Sequence, residues 1–343
     1  DRSLPTGAHA LPLLGTGNWN DGMNRVGHEG QGESVWLAWF LCAVVEKFAP
    51  LAQARGEGQR AQKWMDARAG WIAALHSHGW DGAWFRRAFF DNGARLGSAQ
   101  NDECRIDLIA QAWAVLSGAS SDKFTVPAMQ SMNQQLVDSE AGLLRLLAPP
   151  LQTSINNPGY IQAYPPGVRE NGGQYSHAGV WALMAQAQTG DVEAAWESYE
   201  ALSPAHRSRH PTRGPAYELE PYVMAGDIYG SPPYVGRGGW SWYTGSAAWL
   251  HRASLETLLG LSVRQGVLSL SPRVPAHWPA FEITLRLDGE QVVRLRWQRA
   301  LTMDPAGRVP DRVLAEGESV QLSELPAQAL LLVRAGAHQT LPL

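Results

Sequence analysis

The chain has 343 residues, a net charge of −4 and only 17% charged residues. That length holds one large fold or about two domains of ~150 residues each, and it buries a core without disulfide staples. A disordered polyelectrolyte is excluded, and so is a nucleic-acid surface, which needs clustered Lys and Arg.

In chain order, residues 33–54 are apolar on almost every side, through Val35, Trp36, Leu37, Trp39, Phe40, Leu41, Val44 and Val45. This predicts a helix buried all round. Its densest apolar run, Val35 to Val45, is shorter than the ~20 residues a bilayer needs. A more amphipathic helix follows over 59–77. The alternation then repeats, with 103–117 apolar and 126–138 more polar, and 178–188 apolar. Past Thr189-Gly190, residues 192–201 carry Glu193, Glu197 and Glu200 on their outward turns. Inner helices ringed by outer ones describe an α/α toroid. Cys42 and Cys104 sit in the apolar patterns and read as small buried hydrophobes. They fit a reducing compartment, and the expected location is the cytoplasm. A last helix is predicted over 247–259. Beyond it the period changes. Phe281, Ile283 and Leu285 alternate with polar residues, Asp288-Gly289 supplies a tight turn, and Val293, Leu295 and Trp297 resume the alternation, which predicts a β-hairpin. A further strand is predicted over 329–334.

Fifteen Trp outnumber seven Phe and nine Tyr, and an indole either fills a core or stacks on a flat, partly polar ligand. Trp36, Trp39, Trp71, Trp113, Trp181 and Trp249 fall in helical patterns and read as core. Trp19, Trp84, Trp240 and Trp242 fall in loops and read as stacking faces.

Three loops concentrate the chemistry. The first is Gly15-Thr16-Gly17-Asn18-Trp19-Asn20-Asp21-Gly22-Met23-Asn24. Its glycines let backbone approach a ligand, Trp19 offers a face and Asp21 a carboxylate. In a partly apolar pocket such a carboxyl holds a proton near neutrality and gives it to a leaving oxygen. On loop chemistry alone, Asp21 equally caps an Asx-type turn. The second loop, 164–177, crowds Arg169, Glu170, Asn171, Gln174 and His177 together, and Arg169 with His177 suits an oxyanion or phosphate. A lone His is otherwise a structural residue. The third, 236–246, ends in Thr244-Gly245, where Thr244 is either an ordinary N-cap or part of an anion site at a helix start. Further candidates are Glu218 and Glu220 before Pro221-Tyr222, the aromatic hairpin 80–87, and the pair Asp107 and Gln111. Spaced i to i+4, that pair would give an apolar helix one polar stripe facing the central cleft of a toroid. With no CxxC, no HExxH and dispersed His, no metal site is expected.

Together, Asn18-Trp19-Asn20-Asp21-Gly22, Gly32-Glu33-Ser34-Val35-Trp36, Arg169-Glu170-Asn171-Gly172-Gly173 with His177, Glu220-Pro221-Tyr222-Val223 and Thr244-Gly245 resemble the inverting glycoside phosphorylases. That family includes cellobiose and chitobiose phosphorylases and the C-terminal domain of cyclic β-1,2-glucan synthases. Residues 174–179 and 224–230 are most similar to the cyclic β-1,2-glucan synthase and β-1,2-oligoglucan phosphorylase branch. The resemblance implies a mainly α chain: the C-terminal portion of an (α/α)6 barrel over 1–262, then a small β-domain over 263–343. About half of a six-pair ring is readable, so the chain is expected to be the C-terminal part of a longer polypeptide, its partner being the N-terminal remainder or a second copy in a homodimer.

The implied substrates are a β-glucan oligosaccharide and inorganic phosphate, with no other cofactor. Asp21 matches the family's general acid. Arg169, His177, Thr244 and Gly245 would hold phosphate, while Trp19, Asn20, Glu170, Asn171, Gln174, Glu220 and Tyr222 would hold sugar. Phosphate replaces the activated water of a hydrolase, so no base carboxylate is required, and the product is α-glucose 1-phosphate. In a synthase such a domain would trim chains and govern their length, at the cytoplasmic face of the inner membrane through the parent protein. Asn18 stands where the family usually has Asp. Two other readings compete: an inverting hydrolase with Asp21 as acid and Glu220 as base, and a noncatalytic glucan-binding module.

Overall fold

The helix expected to be buried all round over 33–54 has partners on only part of its surface, since Val35, Trp39 and Cys42 are buried whereas Phe48 and Leu51 are exposed. In the computed structural model, which describes residues 1–300 and 307–336, α1 (Val35–Ala54) packs on α2 (Gly58–Ala74) and α3 (Leu108–Leu116). In turn α3 packs on α4 (Asp122–Leu136) and α5 (Ser176–Gln188), and α5 packs on α6 (Val192–Leu202). So α1, α3 and α5 form an inner layer and α2, α4 and α6 an outer one, in the predicted order. Every residue of α3 from Leu108 to Val115 is buried, whereas Glu193, Glu197 and Glu200 of α6 are exposed. Three short helices follow, α7 (Pro204–Arg209), α8 (Gly214–Tyr217) and α9 (Thr244–Arg252).

One expectation about α1 needs correction. The helix has 20 residues and a mean hydropathy of 1.6, so by length and composition it is able to cross a membrane, which the shorter run at 35–45 concealed. Its Trp39 and Cys42 are fully buried in the core it shares with α2 and α3. Burial pushes the Cys42 thiol up to about 12 and raises that of Cys104 as well, so both are inert thiols.

Helix starts follow caps rather than apolar pattern. Ser34 accepts from the Leu37 N–H and opens α1, and Asp107 accepts from the Ile109 N–H at 3.0 Å and opens α3. Residues 103–107 are therefore outside the helix: Ile106–Asp107 pairs with Leu147–Ala148, and Cys104 lies in a loop at φ 48°. Likewise α4 starts at Asp122, and Val137–Asp138 pairs with Leu143–Leu144. The helix expected over 59–77 ends at Ala74 and widens into a π turn over Leu75–Gly79.

The polar stripe expected of Asp107 and Gln111 does not face a cleft, because both are buried. Gln111 accepts from the Phe85 N–H at 2.8 Å and donates to the Phe85 carbonyl at 2.8 Å, which fastens the hairpin 80–87 to α3. Trp84 of that hairpin is also core, since its Nε1 donates to the carbonyls of Gly97 and Arg105. Asp107 lies 3.4 Å from the Nε of Arg87, which is itself fully buried.

The chain divides into two compact units, Asp1–Leu250 and His251–Leu343. In the second unit β1 (Leu261–Arg264), β2 (Val267–Leu270) and β6 (Ser319–Gln321) form an antiparallel sheet in the order β1-β2-β6. A four-stranded sheet joins β3 (Ala280–Arg286), β4 (Val292–Gln298), β7 (Gln328–Arg334) and β5 (Arg312–Ala315), in that order. β3 and β4 are the predicted hairpin, with Phe281 opposite Trp297, Ile283 opposite Leu295 and Leu285 opposite Val293. Gly289 takes φ 76° in the connection, a conformation that suits glycine. β7, predicted over 329–334, lies parallel to both β4 and β5. Positions 301–306 and 337–343 of the expected β-domain lie outside the described residues.

Candidate active site

The first loop is built around Asn20, whose Oδ1 accepts from the Gly22 N–H at 3.0 Å and opens a single 3-10 turn, Asp21–Met23. The Asx turn is thus the work of Asn20 and not of Asp21. Asn20 is buried, so its amide shapes the loop. Asp21 is exposed at the head of that turn and not enclosed in an apolar pocket as expected. The turn packs on a second one, Tyr160–Ala163. The Tyr160 N–H donates to Asn24 Oδ1 at 3.2 Å, and a side chain at Gly22 would run into Ile161. This docking brings the Asp21 carboxylate into electrostatic range of Tyr160, Tyr164 and Glu170.

Asn18 is held from both ends. Its Oδ1 accepts from Arg87 at 3.2 Å and its Nδ2 donates to Ser34 Oγ at 3.0 Å.

In the second loop Arg169 adopts a left-handed φ of 52°, pinned where its N–H donates to the buried Asp227 carboxylate at 2.8 Å. A non-glycine residue held there stores strain of the kind found at functional sites. Its guanidinium carbon lies 5.2 Å from the Tyr164 ring centre and 5.5 Å from that of Trp240, and its Nε is 3.6 Å from Glu170. Burial pushes the Glu170 carboxyl up. Its own backbone N–H and Arg169 pull it back, and the Asp227 and Asp21 carboxylates push it up further.

Asn171 and Gln174, expected as sugar ligands, are corrected to braces. Both are fully buried. Asn171 accepts from the Leu151 N–H and donates to the carbonyls of Leu151 and Tyr164. Gln174 accepts from the Leu144 N–H and donates to the Ala201 carbonyl.

His177 lies in the first turn of α5, against Trp181 with ring centres 4.4 Å apart and against Trp249 at 5.9 Å. Trp19 of the first loop donates its Nε1–H to His177 Nδ1 at 3.4 Å. Burial lowers the His177 pKa to about 4, so the ring is neutral at pH 7. Its Nε2 is buried with no hydrogen-bond partner among the described residues.

Thr244 and Gly245 are exposed at the start of α9. Thr244 is the first helical residue and not the cap, because the Tyr243 carbonyl accepts from the Ala247 N–H. The neighbouring Tyr243 and Trp249 tie this end to α5, through Tyr243 Oη to Tyr175 Oη at 3.0 Å and through the His177 contact. Tyr222 is 75% exposed and stands edge-on to Trp242 at 6.3 Å. The Glu220 side chain is half-exposed and takes no hydrogen bond or ion pair among the described residues.

The structure therefore brings Trp19 to His177, Asp21 toward Glu170, and Arg169 to Glu170. Sequence reasoning missed Asp227, Tyr175 and Tyr243. The signal for Asp227 was available: a carboxylate beside Gly226 in an otherwise apolar stretch. Arg169, the neutral His177 ring and the start of α9 are each able to receive an oxyanion, and the Glu170 carboxyl stands beside Arg169. Among the described residues no group of three or more His, Cys, Asp or Glu could hold a metal ion.

The family model described as glycosyl hydrolase 94 superfamily, catalytic domain, matches residues 1–260. The chain is 47% identical over 284 residues to cyclic beta-(1,2)-glucan synthase NdvB of Rhizobium meliloti (strain 1021), covering 83% of this chain and 10% of that protein. It is 32% identical to solabiose phosphorylase of Paenibacillus borealis, over 79% of this chain and 35% of the relative. To N,N'-diacetylchitobiose phosphorylase of Vibrio proteolyticus it is 30% identical, over 91% and 37%. The chain thus spans between about a tenth and two fifths of these relatives' length. Among solved structures a sialidase matches with a TM-score of 0.56 at 11% identity, over 80% of this chain and 24% of that one, a likeness of fold alone.

Proposed function

Because the chain belongs to the glycosyl hydrolase 94 superfamily, we propose that it is the C-terminal catalytic portion of a β-glucan phosphorylase, with β-1,2-glucan as the substrate. The contact between Trp19 and His177 carries this reading, since it joins the loop of the acid to a ring whose Nε2 is buried without a partner among the described residues. Asp21 gives its proton to the glycosidic oxygen. Inorganic phosphate, received by Arg169, His177 and the Thr244-Gly245 end of α9, attacks the anomeric carbon from the opposite face. One C–O bond breaks as another forms, the configuration inverts, and the products are a shortened glucan and α-glucose 1-phosphate. Phosphate is the co-substrate and the only small-molecule cofactor in this scheme.

We further propose that the domain trims chains and so sets their length, in the cytoplasm or at the cytoplasmic face of the inner membrane; the 47% identity to a cyclic glucan synthase supports only the glucan class of substrate. The greater length of the relatives supports a larger polypeptide that completes the six-pair barrel around α1, α3 and α5.

The test is to incubate the full-length protein with β-1,2-gluco-oligosaccharides, with and without phosphate. Glucose 1-phosphate is expected only with phosphate, and Asp21→Asn is expected to lower the rate by roughly 10²–10⁴-fold, the usual worth of a general acid. Phosphate-independent release of glucose would instead support a hydrolase, and an undiminished Asp21→Asn rate a noncatalytic module.

A further inference from the structure

The indole of Trp19 meets His177 through its Nε1–H, 3.4 Å from Nδ1. An indole nitrogen only donates, so the nitrogen it meets must be bare. A neutral imidazole with a bare Nδ1 carries its hydrogen on Nε2, and Nε2 is the buried atom without a partner among the described residues. The ring is flanked on its other sides by Trp181 and Trp249. Trp19 itself is braced edge-on by Tyr175, with ring centres 5.4 Å apart. No acidic or basic side chain is among these ring neighbours, and among the described residues the hydrogen bond that selects one tautomer over the other is the one from the Trp19 N–H.

We infer that Trp19 is a positioning residue that locks His177 in its Nε2–H form, so that His177 meets a tetrahedral oxyanion as a fixed neutral donor. The idea rests on the reading of His177 as a phosphate ligand and sharpens it. Charge for the anion then comes from Arg169, while His177 supplies direction. It also reassigns Trp19, whose N–H is committed to the imidazole and is not free for a sugar hydroxyl. Since Trp19 lies two residues before Asp21, the loop that presents the acid also sets the donor for the nucleophile.

The test is a double-substitution cycle in the full-length protein, with inorganic phosphate as the varied substrate. Trp19→Phe keeps the ring and removes the donor. With His177 in place it should raise the phosphate KM about twofold, the change expected when roughly half of the unlocked rings turn to the form that cannot donate, while kcat changes much less. His177→Gln replaces the ring by an amide that donates in either setting, so adding Trp19→Phe to it should leave the phosphate KM where His177→Gln put it. An equal rise in both backgrounds would mean that Trp19 acts only as a structural ring, and would overturn the proposal. A neutron structure of the unliganded protein gives a readout independent of turnover. Deuterium on Nε2 and none on Nδ1 is expected, and the reverse overturns the lock. A protein with the lock but without phosphorolysis would refute the proposed function and leave the tautomer assignment standing.

Discussion

Arg87 is fully buried, yet it faces one carboxylate and two neutral oxygens: Asp107 at 3.4 Å, Ser34 Oγ at 3.3 Å and Asn18 Oδ1 at 3.2 Å. Ser34 opens α1 and Asp107 opens α3, so one guanidinium ties two inner-helix starts to the loop that carries Asp21. Burial pushes Asp107 up to about 6 against the pull of Arg87. Arg87→Met should cost about 3–5 kcal/mol in denaturant unfolding, because it strands a buried carboxylate. Adding Asp107→Asn should recover part of that loss, and identical losses in the single and double variants would refute the pairing. His177 gives a prediction of its own. Its pKa is about 4 when folded and about 6.5 when unfolded, so the unfolded state binds more protons between these values. The stability contributed by the neutral ring is whole above about pH 6.5 and is lost as pH falls toward 4. Asp107, raised on folding, works in the opposite sense over part of that window, so the comparison to make is wild type against His177→Gln. The variant should show a flatter unfolding midpoint between pH 6.5 and 4. At this scale the sequence was only half legible. Asn171, Gln174 and Gln111 look like ligand-binding amides because a polar residue in an apolar setting has the same signature whether its partner is a ligand or the backbone.

At the scale of elements, the inner and outer helices were readable because burial on all sides and burial on one side leave different hydrophobic patterns. Their ends were less so. The pattern at 103–107 continues into α3 although Asp107 ends the extended segment, and nothing apolar distinguishes the π turn at Leu75–Gly79 from the helix before it. The hairpin of β3 and β4 was legible because a period of two around Asp288-Gly289 has no helical reading. Cross-links between elements stay hidden until the fold is known. Gln111→Leu is such a case, since it preserves shape but leaves the Phe85 N–H buried and unpaired. A loss of about 2 kcal/mol is expected, seen as a lower thermal midpoint, and an unchanged midpoint would show that water replaces the bond.

At the scale of the molecule, the half-ring expected from the count of helix pairs predicts an uncovered flank, and part of α1 is exposed. Phe48 and Leu51 on α1 are 56% and 58% exposed, beside a groove lined by Leu41, Val44, Phe48, Trp64 and Trp71. Contiguous exposed apolar surface of this kind drives association. The isolated 343-residue chain should therefore self-associate with concentration in sedimentation experiments, and Phe48→Glu with Leu51→Glu should reduce this. A chain that stays monomeric without these substitutions would show that the flank is tolerated in water.

The clustering of the tryptophans also has an optical consequence. Trp19, Trp181, Trp36, Trp113 and Trp249 stand 5.2 to 6.3 Å from their neighbours, close enough for excitation to migrate among them. His177 touches three of them. The share of the emission that comes from these five of the fifteen tryptophans is therefore expected to respond to what that one imidazole holds.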